Sequence, residues 1–193
     1  MYDKVGYVKP SIFDFNTRTV VTISIVAALY GVVGLVGIPV GPNVQLRPSI
    51  IILSLFSVYF GPVVGFLGGF LGNMLTDLLA GWGIWWTWEM ASGIFGLFCG
   101  LVYLFPGFNV RYGLYSKIHL AFLIVSAVGG FLAGYTFAGI SDIIIMNEPP
   151  RKVFFQIIVI FITNSLVFIF LALPVIFGFI KANNRYSRLK VEE

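Results

Sequence analysis

Polar side chains are scarce in this chain, and those within or beside its apolar runs are the residues that could do chemistry. Charged residues make up 10% of the 193 residues, whereas hydrophobic residues make up 59%. A charge at the centre of a membrane costs roughly 3 kcal/mol on insertion scales, so each is by default a candidate functional residue. The polar candidates are Asn43, Gln45, Arg47, Asn73, Asp77, Glu89, Asp142 and Asn164.

Each candidate also has a purely structural interpretation. Asp77 could pair with Arg47 only to hold the structure together. Glu89 could be a water-exposed residue at a helix start, where a carboxylate suits the positive end of the helix dipole. Asp142 could be a solvated helix cap. Asn164 lies in the middle of an apolar run and must find a hydrogen-bond partner, either in a ligand or on a neighbouring helix.

The tryptophans form a second group of candidates. All four lie in the segment GWGIWWTWE, as Trp82, Trp85, Trp86 and Trp88. An aromatic belt at the membrane interface accounts for single tryptophans, but it would distribute them over several helices. Their concentration beside Gly81 and Gly83 favours a lid that stacks over a ring-containing ligand. The belt remains the alternative.

The runs that carry these residues predict an all-α integral membrane protein, a six-transmembrane-helix bundle. A spanning helix needs about 20 mostly apolar residues. Residues 1–193 are expected to form a single membrane domain, with helices at about 20–38, 49–60, 63–80, 89–105, 119–140 and 153–180. The second run is short, and five spans would remain if it is re-entrant.

The distribution of Lys and Arg predicts that both termini are cytoplasmic (N-in/C-in). The inner segments would then hold Lys4, Lys9, Arg18, Arg111, Lys117, Lys181, Arg185, Arg188 and Lys190, and the outer loops only Arg47, Arg151 and Lys152. Cytoplasmic loops carry such an excess of positive residues. The outer loops, at about 39–48, 81–88 and 141–152, contain most of the candidates. A ligand is therefore expected to arrive from outside.

Motifs for enzymatic chemistry are missing from the sequence. A single histidine excludes an HExxH zinc site, and there is no GxxxxGK[ST] phosphate loop and no GxSxG elbow. We expect no catalytic residue, metal, cofactor or nucleic-acid partner. A self-contained secondary carrier or channel, with Asp77 and Glu89 coupling transport to ions, is the main alternative, although paired broken helices are not evident. An accessory protein is a further one.

The segment from residue 46 to residue 96 carries a family resemblance. In LRPSIIILSLFSVYFGPVVGFLGGFLGNMLTDLLAGWGIWWTWEMASGIFG, a polar loop leads to an FGP hairpin, an aspartate and a Trp-rich loop. This order resembles the substrate-binding subunit, or S component, of energy-coupling factor (ECF) vitamin transporters. The likeness is closest to the branch that binds riboflavin, pyrimidine precursors and cobalamin.

The resemblance implies a subunit of a prokaryotic plasma membrane that captures a vitamin or vitamin precursor with high affinity at its outer loops. It also implies an ECF transmembrane coupling subunit and two cytoplasmic ATPase subunits as partners, which would tip the bundle in the bilayer to release the substrate inside. In that family, small residues spaced AxxxA on the first helix contact the coupling subunit. Here Ser24 and Ala28 occupy that spacing, with Gly31 further along. Among these possible ligands, we predict a riboflavin-like or pyrimidine-like compound.

Overall fold

A computed structural model describes residues 15–41 and 44–189 of the protein. The helices are α1 (Thr17–Gly34), α2 (Ile50–Phe60), α3 (Pro62–Leu79), α4 (Trp86–Gly100), α5 (Lys117–Ile144), α6 (Pro150–Val167) and α7 (Leu173–Leu189). Of the basic residues used to predict orientation, Lys4, Lys9 and Lys190, and the side chains of Arg185 and Arg188, lie outside the described part.

The helices confirm an all-α membrane protein. Five helical segments in the described part are long and apolar enough to cross a membrane: Thr17–Gly34, Pro62–Leu79, Trp86–Leu104, Lys117–Ile144 and Pro150–Asn184. The last is continuous because one π-helical turn, Phe168–Ala172, joins α6 to α7. Helix α2 is apolar but has only 11 residues.

The first helix ends earlier than the predicted residue 38. It stops at Gly34, and a small hairpin that was not predicted follows, with β1 (Ile38–Gly41) antiparallel to β2 (Val44–Leu46). The strand residues are as apolar as the helix before them, so hydropathy alone cannot separate the two. The hairpin carries the chain over one end of the bundle and places Gln45 and Arg47 there.

Helices α2 and α3 form a tight antiparallel hairpin. The single residue between them is Gly61, whose φ of 97° is readily reached only by glycine. Pro62 then opens α3 at a position where its missing N–H costs no hydrogen bond.

Glycines let α3, α4 and α5 pack backbone to backbone. A Cβ added to Gly65 would collide with the carbonyl oxygen of Gly96, and one added to Gly69 would lie 2.6 Å from the Ser92 carbonyl oxygen. One added to Gly134 would lie 2.7 Å from the Ala91 carbonyl oxygen. The small residues on these helix faces therefore serve internal packing, because they let the backbones approach closely.

The connections after α1, α3 and α5 come together at one end of the bundle. We call this the loop end; it comprises residues 35–41 and 44–49, 80–85 and 145–149. Elsewhere the helices present large apolar side chains outward, such as Ile25 and Leu29 on α1 and Val125 on α5. That is the surface expected of helices in lipid.

Candidate ligand-binding site

A cavity of about 540 Å³ opens at the loop end. It brings together nine of the residues predicted from sequence: Gln45, Arg47, Asn73, Asp77, Trp82, Trp85, Trp88, Asp142 and Asn164. Its volume lies in the range typical of sites for small organic molecules. Asn43 lies outside the described residues.

One wall is polar and centres on Arg47, just after β2. Its Nη1 donates a hydrogen bond to Asn73 Oδ1, and its Nη2 lies 3.9 Å from Asp77 Oδ1. Asn73 and Asp77 are one turn apart on α3, so they share a face. The Arg47 guanidinium also lies 6.0 Å from the centre of the Trp82 ring, within range of a cation–π contact. The pairing of Arg47 with Asp77 thus exists, and both residues also line the cavity.

Asp142, near the end of α5, anchors the tryptophan segment. Its Oδ1 accepts hydrogen bonds from Trp85 Nε1 at 3.1 Å and Thr87 Oγ1 at 2.7 Å. Its Oδ2 accepts one from Trp88 Nε1 at 2.7 Å. Asp142 is 3% exposed, so the interpretation as a solvated cap is wrong. The buried carboxylate fixes the start of α4 to the end of α5.

The four tryptophans lie in two different environments. Trp82, Trp85 and Trp88 line the cavity. Trp86 is not among the lining residues and packs edge-on against Phe137, with 6.3 Å between ring centres. The chain turns into the tryptophan segment at Gly81 and Gly83, whose φ angles of 74° and 82° favour glycine.

Glu89 is buried beneath the tryptophan segment and does not line the cavity. Its Oε1 accepts a hydrogen bond from the Trp85 backbone N–H at 3.1 Å, and the residue is 0% exposed. It lies in the first turn of α4, where a carboxylate complements the helix dipole. The helix-start position is confirmed, and the expected exposure to water is wrong.

The floor of the cavity is aromatic, and sequence reasoning missed it. The rings of Phe95 and Phe131 stack with centres 3.9 Å apart and an angle of 4° between planes. The rings of Phe131 and Tyr135 stack at 5.6 Å. Asn164 donates a hydrogen bond from Nδ2 to the Tyr135 hydroxyl, the interhelical partner that its position requires. The available sequence signal was the spacing of Phe131 and Tyr135, four residues apart on α5. That spacing is equally typical of aromatic residues packed in a protein core.

A second polar edge was also missed. Glu148 and Lys152 form an ion pair of 2.8 Å across one turn, and Gln156 follows on α6. From the sequence alone, Lys152 indicates only the orientation of the bundle. Residues with i, i+4 spacing at a helix start carry little site information by themselves.

The small residues of α1 divide between two faces. Ser24 and Ala28 are exposed on the outside of the bundle. Gly31 is buried instead: a Cβ there would lie 2.8 Å from Leu75, and its carbonyl accepts a hydrogen bond from Thr76 Oγ1 at 3.1 Å. Gly31 therefore cannot share an outer contact surface with the other two.

Comparison with known proteins gives two findings. The family model described as "ECF-type riboflavin transporter, S component" matches residues 14–181. A UPF0397 protein of Aliivibrio fischeri (strain MJ11) is 41% identical over 179 residues, which cover 92% of this chain and 94% of the relative.

Proposed function

The chain belongs to the ECF-type riboflavin transporter S component family, and we propose that it is the high-affinity substrate-capture subunit of an ATP-driven importer of a vitamin or vitamin precursor. The observation that carries the proposal is the cavity at the loop end, with its stacked aromatic floor and two polar edges. Such a combination suits a ring system with polar substituents. A riboflavin-like or pyrimidine-like compound fits this volume better than the much larger corrin of cobalamin.

The proposed arrangement in the membrane has six spans, with α2 as a short sixth span and both termini in the cytoplasm. The loop end then faces outward, and the substrate enters from outside a prokaryotic plasma membrane. The excess of basic residues in the segments assigned to the inner side supports this orientation.

The proposed partners are an ECF transmembrane coupling subunit and two cytoplasmic ATPase subunits, which would supply the energy and tip the loaded bundle. Ser24 and Ala28 form the proposed contact with the coupling subunit, because they leave a shallow strip on the exposed face of α1. Gly31 packs against Leu75 inside the bundle and is not part of the proposed contact surface.

Substrate capture is tested by titrating the purified chain in detergent with riboflavin, a pyrimidine precursor of thiamine and cobalamin while recording tryptophan emission. We expect saturable quenching at nanomolar concentration by one of them. Trp88→Phe should remove much of the quenching, because Trp88 lines the cavity. Trp86→Phe, a matched control outside the cavity, should leave the dissociation constant unchanged. Absence of binding by all three compounds would contradict the proposal.

The partners are tested by uptake into liposomes that contain the chain with or without a coupling module and ATP. We expect uptake only with both. Ser24→Leu should abolish uptake while the isolated chain still binds its ligand. Val125→Leu, which changes a 71% exposed residue on α5, is the matched control. Equal uptake by the Ser24→Leu and unsubstituted chains would reject the proposed contact.

A self-contained carrier or channel is the second candidate, and one observation favours it. Asp77 Oδ1 and Glu89 Oε2 are both buried and have no hydrogen-bond partner among the described residues. Two such carboxylates could take up protons or cations. Flux driven by an ion gradient in liposomes that hold this chain alone would support this function and reject the capture subunit.

A further inference from the structure

The charged residues of the described cavity lining carry more negative than positive charge, and each of the two cations lies beside a carboxylate. The lining contains three carboxylates, Asp77, Asp142 and Glu148, against two cations, Arg47 and Lys152. Lys152 is engaged by Glu148 at 2.8 Å, and Arg47 lies 3.9 Å from Asp77. Within the described lining the balance is therefore negative. An added anion would be repelled, and more strongly in a partly dehydrated site than in water.

The buried side-chain atoms of the lining that lack a hydrogen-bond partner among the described residues are all acceptors. Three buried oxygens have no hydrogen-bond partner in the described structure: Gln45 Oε1, Asp77 Oδ1 and Asn164 Oδ1. The Asp77 carboxylate, when ionised, can only accept hydrogen bonds. Asp142 is different, because both of its oxygens already have side-chain donors. A buried acceptor without a donor is costly, so a ligand that brings donors gains most here.

The aromatic residues set the shape of the ligand. Phe95, Phe131 and Tyr135 form a row of nearly parallel rings that lines the floor, and Trp88 lies beside Tyr135 at 6.1 Å. Flat ring systems pack well against such surfaces.

Resting on the proposed function, we propose that the ligand is a flat nitrogen heterocycle, neutral or cationic, that donates a ring or exocyclic N–H to Asp77. The same residues make the site discriminate against phosphorylated forms of the ring. Asp77 is thus a specificity-determining residue, with Arg47 holding it in place from one side.

The first test compares matched pairs on the unsubstituted chain in detergent: riboflavin with flavin mononucleotide, and 4-amino-5-hydroxymethyl-2-methylpyrimidine with its monophosphate. Within the pair that binds, we expect the unphosphorylated compound to bind at least about 100-fold more tightly, since unfavourable charge juxtaposition costs several kcal/mol. Equal or tighter binding of the phosphorylated compound would overturn this inference and leave the capture function standing. Failure of both pairs would overturn the inference together with that function.

The second test replaces Asp77 by Asn. We expect affinity for the unphosphorylated ring to fall by about 10- to 100-fold, because a hydrogen bond to a charged acceptor becomes a neutral one or is lost. Glu89→Gln is the matched control: it makes the same chemical change at a buried carboxylate outside the cavity lining. It should leave affinity within about threefold. Unchanged affinity in a folded Asp77→Asn variant would overturn the role of Asp77. The matched-pair comparison decides the ligand class even if that variant does not fold.

Discussion

Replacing Asp142 by Asn tests whether one carboxylate holds the tryptophan segment in place. The carboxylate accepts from three side chains, Trp85, Thr87 and Trp88, at 3.1, 2.7 and 2.7 Å. An asparagine in the same position keeps one acceptor oxygen, which can still serve Trp85 and Thr87. Its NH₂ group, however, faces the Trp88 indole N–H, and two donors cannot bond each other.

The expected loss follows from these three bonds. Each hydrogen bond to a charged group contributes about 1.5–3 kcal/mol, and a neutral one about 0.5–1.5 kcal/mol. The variant loses one charged bond and converts two others to neutral ones. Since Trp85 is 40% exposed, its N–H can turn to water and recover part of the loss. We therefore expect the free energy of unfolding to fall by about 2–4 kcal/mol.

The measurement is reversible unfolding in mixed micelles, followed by tryptophan emission. Besides the lower stability, we expect emission from the folded variant to shift to the red, because Trp88 is released from its buried acceptor. Glu148→Gln is the matched control; it breaks an ion pair whose lysine is 44% exposed and should cost less than about 0.5 kcal/mol. If Asp142→Asn unfolds like this control and keeps its emission maximum, Asp142 is not the anchor.

Two further predictions concern packing inside the bundle. Gly96→Ala should lower the free energy of unfolding by about 1–3 kcal/mol, because its Cβ would collide with the Gly65 carbonyl. Gly129→Ala, with no atom of the described residues within 4 Å of the added Cβ, should be neutral or slightly stabilising. Equal effects of the two substitutions would contradict the close approach of α3 and α4. Tyr135→Phe should cost about 1–2 kcal/mol because it strands the buried amide of Asn164, and adding Asn164→Leu should restore most of that loss. Strictly additive effects in this double-mutant cycle would show that the two side chains do not interact.

The helices were predictable because strong local signals bound them. Helix α3 was expected at 63–80 and spans Pro62–Leu79; the proline at its start and the run of glycines within it leave few alternatives. The end of α1 was predicted wrongly because the signal there is ambiguous. Residues up to Ile38 are apolar, yet the chain leaves the helix at Gly34 and forms a strand. Hydropathy indicates only that a segment is apolar enough to be buried in lipid or protein. An apolar helix and an apolar strand meet that condition equally well.

The site was only partly predictable, since residue type shows which side chains need partners and not which partners they find. Asp142 was recognised as unusual, but its three donors lie 54 to 57 positions earlier in the sequence. Only the packing of α4 against α5 brings them together. The aromatic floor was missed for the opposite reason: Phe131 needs no polar partner, so nothing in the sequence distinguishes a ring that faces a cavity from one that fills the core.

The polar residues at the loop end therefore have two different roles. The two roles are distinguished by whether the side-chain oxygens already have hydrogen-bond donors within the protein. Both carboxylate oxygens of Asp142 accept hydrogen bonds from the tryptophan segment, so Asp142 stabilises the structure around the site. Asp77 Oδ1 lies 3.9 Å from the Arg47 guanidinium, beyond hydrogen-bond distance, and this buried oxygen has no donor among the described residues. A fold that leaves such a group unpaired gives up stability that a complementary ligand can restore on binding. Neutralising Asp142 should thus be felt mainly in unfolding, whereas neutralising Asp77 should be felt mainly in affinity.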